Sequence, residues 1–135
     1  MTVTAIQIGL DPDVIDYSSP DFAQFPRLSK DKLRAANYDN VAALRGAGYD
    51  VDNCLLDFGD AGAQQARQWL EAKQYDAVLI GAGVRLVARN TLLFESIVNA
   101  AHTTQPRCRF VFNHAATSTP DDIRRWYPHP EAVTR

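Results

Sequence analysis

Y-D-A-V-L-I-G-A-G-V-R, residues Tyr75 to Arg85, decides the fold. Ala77, Val78, Leu79 and Ile80 form an uninterrupted apolar run. A strand that is apolar at successive positions has both faces covered, as central strands of parallel sheets do. The run stops at Gly81-Ala82-Gly83, where a backbone without side chains turns tightly or approaches a ligand. The stretch therefore predicts the middle strand of a small α/β sheet, with the Gly turn on its ligand-binding edge.

Working outward toward the N-terminus, Gly59 or Asp60 caps an expected helix over 61–73 that turns Ala63, Ala66, Trp69 and Leu70 inward. Before it, Val51 to Asp57 reads as a strand, and Asp50, Asp52 and Asn53 make it polar enough for a sheet edge. Ser29 caps a helix over 30–45, with Leu33, Val41 and Leu44 on one stripe and Asn37 on the same stripe. Val3 to Gly9 reads as the first strand, where Gln7 needs hydrogen-bond partners if it is buried. Between them Leu10 to Leu28 is a long connection carrying Tyr17, Phe22 and Phe25, of the kind that packs down or closes as a lid.

Toward the C-terminus, Asn90 caps a helix from Thr91 to His102 whose apolar arc is wider than one sheet face needs. Arg107 to Asn113 is the expected fourth strand, with Phe110 and Phe112 on one face. A last short helix opens at Thr119-Pro120, with Asp122 at the capping-box position and Ile123 and Trp126 docking it.

Alternating strands and helices predict a three-layer αβα, Rossmann-like domain over 1–127 with a flexible tail over 128–135. The polar second strand at an edge and the apolar third inside give a four-stranded parallel sheet in order 2-1-3-4. That order places Cys54 and Cys108 on opposite edges, about 14 Å apart, too far for a disulfide. It also creates a switch point between the first and third strands, where ligands collect in open α/β sheets.

The chain has 135 residues, 46% of them apolar, and a formal net charge of -2. One core is affordable at that length. There is no basic field to attract nucleic acid, and no apolar run long enough for a membrane span. The N-terminus enters a strand with no basic region ahead of it, so a soluble, cytoplasmic protein is expected.

Asp11, Asp13, Gly81, Gly83, Arg85, Asn113 and His114 all fall at the C-terminal edge of the expected sheet and form the candidate ligand site. Arg85 is the expected anion contact, since a guanidinium beside free backbone N–H groups suits a carboxylate or phosphate. Arg89 stands near enough to share that task. Asp11 would orient Arg85 or hold a hydroxyl or metal, and the plainer alternative pairs the two as a tie. The acids of D-P-D-V-I-D either hold a divalent metal or cap turns beside Pro12. The full dinucleotide fingerprint is missing, because Leu86 stands where a third small residue belongs. His114 has the position of a general base, with no Ser or Cys in a nucleophile elbow to partner it.

Asp11 and Asp13 resemble the first motif of haloacid-dehalogenase-type phosphatases, which implies a nucleophile and an acid/base. The chain departs from that pattern at Gly81, where Ser or Thr belongs, and has no Lys after the third strand. Taken whole, G-L-D-P-D-V-I-D-Y-S-S-P-D-F, V-L-I-G-A-G-V-R and F-V-F-N resemble a set of small bacterial Rossmann-like, minimal flavodoxin-like proteins. The resemblance spans most of the chain and implies the fold; those proteins have no assigned activity, so it implies no catalytic residue. Two functions stay open. One is a binding protein or modest enzyme for an anionic or nucleotide-like small molecule. The other is a non-catalytic module that forms a homodimer through the Thr91–His102 helix.

Overall fold

The computed structural model describes residues 1–131. Its sheet has four strands, all parallel, in the order β2-β1-β3-β4. They are β1 (Thr4–Leu10), β2 (Asp50–Leu56), β3 (Ala77–Ile80) and β4 (Arg109–Phe112). The helices are α1 (Lys30–Gly46), α2 (Gly59–Ala72), the single turn α3 (Ala82–Arg85), α4 (Thr91–Thr104) and α5 (Thr119–Arg124). No helix among the described residues is long and apolar enough to cross a membrane.

Strand alternation sorts the core into two layers. Ile6 and Ile8 of β1 join Val78, Ile80, Cys54 and Leu56 under α2 and α4, which contribute Ala66, Leu70, Leu93 and Ile97. Val3 and Ala5 join Val51, Leu79 and Val111 under α1 and α5, which contribute Leu44 and Ile123. Each fully buried Leu or Ile is worth about 2 kcal/mol. β3 alone is buried at every position, as its sequence requires of a strand covered on both sides.

Local signals hold where no stronger partner competes. Ser29 caps α1, its Oγ accepting from the Lys32 N–H at 3.2 Å. Elsewhere the expected caps shift or are drawn off. Phe58, with no side-chain cap bond, precedes α2 in place of Gly59 or Asp60. Asn90 precedes α4, but its amide donates to the Gly83 carbonyl at 2.9 Å instead of capping. Ser118, not Thr119, precedes α5. β4 is shorter than expected, because Cys108 N–H donates back to Gln105 in a turn.

Both tryptophans depart from the sequence reading. Trp69 is 40% exposed, one position off the stripe formed by Ala66 and Leu70. Trp126 is 48% exposed and lies beyond the end of α5, where the Arg109 guanidinium sits over its ring. Gly62 carries a constraint the sequence did not reveal. A Cβ there would fall 2.0 Å from the Asp57 carbonyl oxygen, so α2 enters at a distance that excludes any side chain.

Cys54 on β2 and Cys108 just ahead of β4 are both free thiols, on opposite edges of the sheet. Burial pushes the Cys54 thiol up to about 12. Residues 128–131 lie against the start of the sheet. Val3 N–H donates to the Pro130 carbonyl at 2.6 Å, and Thr2 forms an antiparallel bridge with Glu131. The rest of the expected tail, 132–135, lies outside the described residues.

Candidate functional site

α1 leaves β1 on one face of the sheet and α4 follows β3 on the other. The two crossovers part above the β1–β3 pair and leave a crevice at the C-terminal ends of those strands. A cavity of about 580 Å³ opens there. Gln7, Gly9, Leu79 and Gly81 contribute its floor, and Leu33, Ala36, Asn37 and Asn40 of α1 one wall. The connection after β1 supplies Phe22, Phe25 and Leu28, while α3 and the segment after β4 close the far side with Arg85 and 113–116.

The connection packs down because its apolar residues find the core. Ile15 and Phe22 are buried, and Tyr17, Phe25 and Leu28 rest on the same cluster. Two 3-10 turns, Pro12–Val14 and Pro20–Phe22, compact it, each with proline in its first turn. Gln24 ties it across the cavity mouth by donating from Nε2 to the Leu86 carbonyl at 2.7 Å.

Arg85 holds its guanidinium at the C-terminal ends of β3 and β4. Nη1 donates to the Ile80 carbonyl and, at 2.9 Å, to Asn113 Oδ1; Nη2 donates to the Asn113 carbonyl at 2.8 Å. The guanidinium lies 4.9 Å from the centre of the Phe112 ring. These bonds use three of the five N–H groups an arginine carries. Among the described residues no carboxylate lies within ion-pair distance of it. Burial pulls its pKa down from the usual arginine range, and the charge of Asp122 partly restores it.

His114 stands beside it on a built support. Its Nδ1 is 2.7 Å from Oδ1 of Asp122, which is fully buried. The carboxylate also accepts from Ser118 Oγ at 2.5 Å and from Arg125 Nη1. Burial alone would raise the Asp122 pKa, but the bonds from Ser118, Arg125 and His114 together hold it below the usual carboxylate range. An ionised Asp122 can only accept, so Nδ1 is the donor of this pair. Ser118 Oγ also accepts from the His114 and Ala115 N–H groups, which fixes the turn on which the imidazole is mounted.

No family model, no curated protein and no solved structure matches the chain.

Of the residues singled out from the sequence, Gly81, Gly83, Arg85, Asn113 and His114 line the cavity; Asp11 and Asp13 do not. Asp11 accepts from the Asp13 N–H at 2.9 Å and caps the turn at Pro12. Asp13 pairs with Arg34 at 2.6 Å and Lys30 at 3.8 Å. Asp11 and Arg85 do not meet; the tie that holds Arg85 runs to Ile80 and Asn113. Arg89 pairs with Asp21 at 3.7 Å, away from the cavity. Neither Gly81 nor Gly83 has a positive φ, and a Cβ at either would make ordinary contacts. The Gly81 N–H donates to the Ile8 carbonyl at 2.9 Å and so is not open to a ligand. Among the described residues no group of three or more His, Cys, Asp or Glu side chains is placed to hold a metal ion.

The glycine that matters to the cavity is Gly9, which the sequence reading passed over. Nothing lies within 4 Å of a Cβ built there, so its missing side chain is open space. Strand glycines of this kind mark a close approach of something else. Asp122 and Ser118 were also missed in this role, because their pattern matches a helix cap.

Proposed function

We propose that the protein binds a small anionic molecule in the cavity over β1 and β3. One observation carries the reading: a half-buried guanidinium, Arg85, faces a largely apolar cavity with no carboxylate partner among the described residues. A desolvated cation of this kind gains most from an anion that shares its low-dielectric surroundings. The volume, about 580 Å³, falls inside the roughly 300–1,000 Å³ of small-molecule sites. The wall of Phe22, Phe25, Leu28 and Leu33 suits an apolar body behind the anionic head. An enzyme built on the same site would use Nε2 of His114 as its base.

The test is thermal shift with carboxylates, sugar phosphates and nucleotides. A ligand at a hundred times its Kd adds about 2.7 kcal/mol to the native state. Gly9→Leu should keep the fold, since the new side chain enters empty space, and should abolish the shift by filling the cavity. Arg85→Ala separates less, because it also strips Ile80 and Asn113 of their donor. If no anion raises Tm, or if Gly9→Leu responds as the wild type does, the reading fails.

A second reading, a homodimer through α4, is favoured by a separate observation. Leu92 is 74% exposed. Next to it Phe94, Val98, Phe110 and Phe112 line an apolar groove of about 420 Å³ along the unpaired edge of β4. Covering such a surface is a common reason to dimerise. Light scattering at micromolar concentration should give a dimer, and Leu92→Glu a folded monomer. A monomeric wild type would remove this reading.

A further inference from the structure

Gln7 lies in the middle of β1, opposite Asn53 of β2 and Leu79 of β3. Its Oε1 is buried with no hydrogen-bond partner, the only such side-chain atom among the described residues. Its natural partners are committed elsewhere. Asn37 and Asn53 bond each other reciprocally, at 3.2 Å and 2.7 Å, and leave Gln7 out. An unpaired buried amide oxygen is a standing cost, and an apolar side chain of the same length would avoid it. Gln7 lines the cavity, and a half-turn about its last, soft torsion would bring Oε1 to face that space. One step further along the same strand face, Gly9 leaves the space above it open.

The geometry points to Gln7 as the residue that reads the ligand. We propose that the site takes an elongated carboxylate whose apolar body carries a hydroxyl at the end remote from the charge, such as a hydroxyaryl carboxylate. The carboxylate meets Arg85, the body lies along Phe22, Phe25 and Leu33, and the hydroxyl pairs with the Gln7 carboxamide. A hydroxyl fits because it both donates and accepts, so it can satisfy either end of an amide whose last torsion is soft. The spacing follows from the sheet. Arg85 is held at the Ile80 carbonyl, one residue beyond the position facing Gln7 on the neighbouring strand. Strand rise and strand separation put the two backbone positions about 6 Å apart, and the height of the Gln7 side chain above the sheet widens the gap between the polar heads to on the order of 8 Å. That is about the span of a para-substituted aromatic acid, and too long for a hydroxyl adjacent to the carboxylate. The inference rests on the cavity being the ligand site.

The test compares 3-(4-hydroxyphenyl)propanoate with 3-phenylpropanoate, by calorimetry on the wild type and on Gln7→Met. The wild type should bind the hydroxylated acid about tenfold more tightly, the worth of a hydrogen bond to an otherwise unpaired buried group. Gln7→Met should bind both acids alike, and without ligand it should melt higher than the wild type by a few degrees. Gln7→Leu serves the same comparison if the methionine variant does not fold. Equal binding of the two acids to the wild type overturns the proposal and leaves the anion site standing. A preference that survives Gln7→Met also overturns it, as does a Gln7→Met protein that melts lower. If neither acid binds, the proposal fails, and the anion screen with Gly9→Leu decides separately whether the site does.

Discussion

Asp122→Ala is expected to destabilise the protein by about 3 kcal/mol, a fall of roughly 10 °C in Tm for a domain of this size. Three donors lose a bond at once. Ser118 Oγ falls back on the Ala115 carbonyl at 2.9 Å, His114 loses the support of its ring, and Arg125 keeps its 3.2 Å bond to the Phe112 carbonyl. The loss is bounded because His114 and Arg125 are half or more exposed and water can replace part of it. The sign of the pH dependence follows. The folded-state pKa of Asp122 lies below the unfolded value, so its contribution is complete above about pH 4. It disappears as pH falls through the lower, folded-state value. Asp122→Asn should therefore flatten the acid limb of the stability profile. Urea titrations between pH 2 and 7 measure both effects, and an acid limb as steep in Asp122→Asn as in the wild type would contradict the assignment.

Gln105→Ala should cost at least as much, about 3–4 kcal/mol. Gln105 is 1% exposed and spends its carboxamide entirely on main chain. Nε2 donates to the Leu70 and Lys73 carbonyls, both at 2.7 Å, and Oε1 accepts from the Tyr75 N–H at 2.8 Å. One side chain thus ties the end of α2, the entry to β3 and the end of α4. Gln105→Glu makes the mechanism visible. It keeps the acceptor for Tyr75 but turns the donor end into a second acceptor facing two carbonyls. Its deficit should be large at neutral pH and shrink in acid, where a protonated carboxyl regains one donor. Denaturation at pH 7 and pH 4 checks this, and a Gln105→Glu protein as stable as wild type at pH 7 would rule it out.

Gln105 also shows what a single sequence conceals. The elements were legible because they follow from near neighbours. Four consecutive apolar residues in β3 demand two covered faces, Asp50 and Asp52 suit only an edge, and Ser29 precedes a helical stripe. Sheet order followed from these, and the structure has it. Side-chain partners come from far along the chain and leave no local pattern. Asn90 and Asp122 have the spacing of helix caps, and each is claimed by a tertiary contact instead. Asp11 and Asp13 stand at the correct edge, but the 3-10 turn at Pro12 directs them away from the cavity. Arg85 was legible as a cation at the right strand end; that Asn113 would hold it was not. Gln7 was legible as a problem, a polar group in a buried strand, and the structure leaves that problem unsolved by any protein atom among the described residues.

The seam at the start of the sheet has a consequence in time. Val3 N–H waits for the carbonyl of Pro130, and the Tyr49 hydroxyl for that of Tyr127. The Tyr127 hydroxyl in turn donates to the Asp76 carbonyl at 3.0 Å. A ribosome releases β1 more than a hundred residues before residue 130, so the nascent sheet forms with this rim unsealed. Closing so long a loop adds little to the equilibrium cost, because that cost grows only with the logarithm of length. It is nonetheless a late event, since contacts this distant in sequence form slowly. A chain stalled before Tyr127 would hold its central strands and lack its rim, and would offer chaperones and proteases their opening at the end of the molecule opposite the cavity.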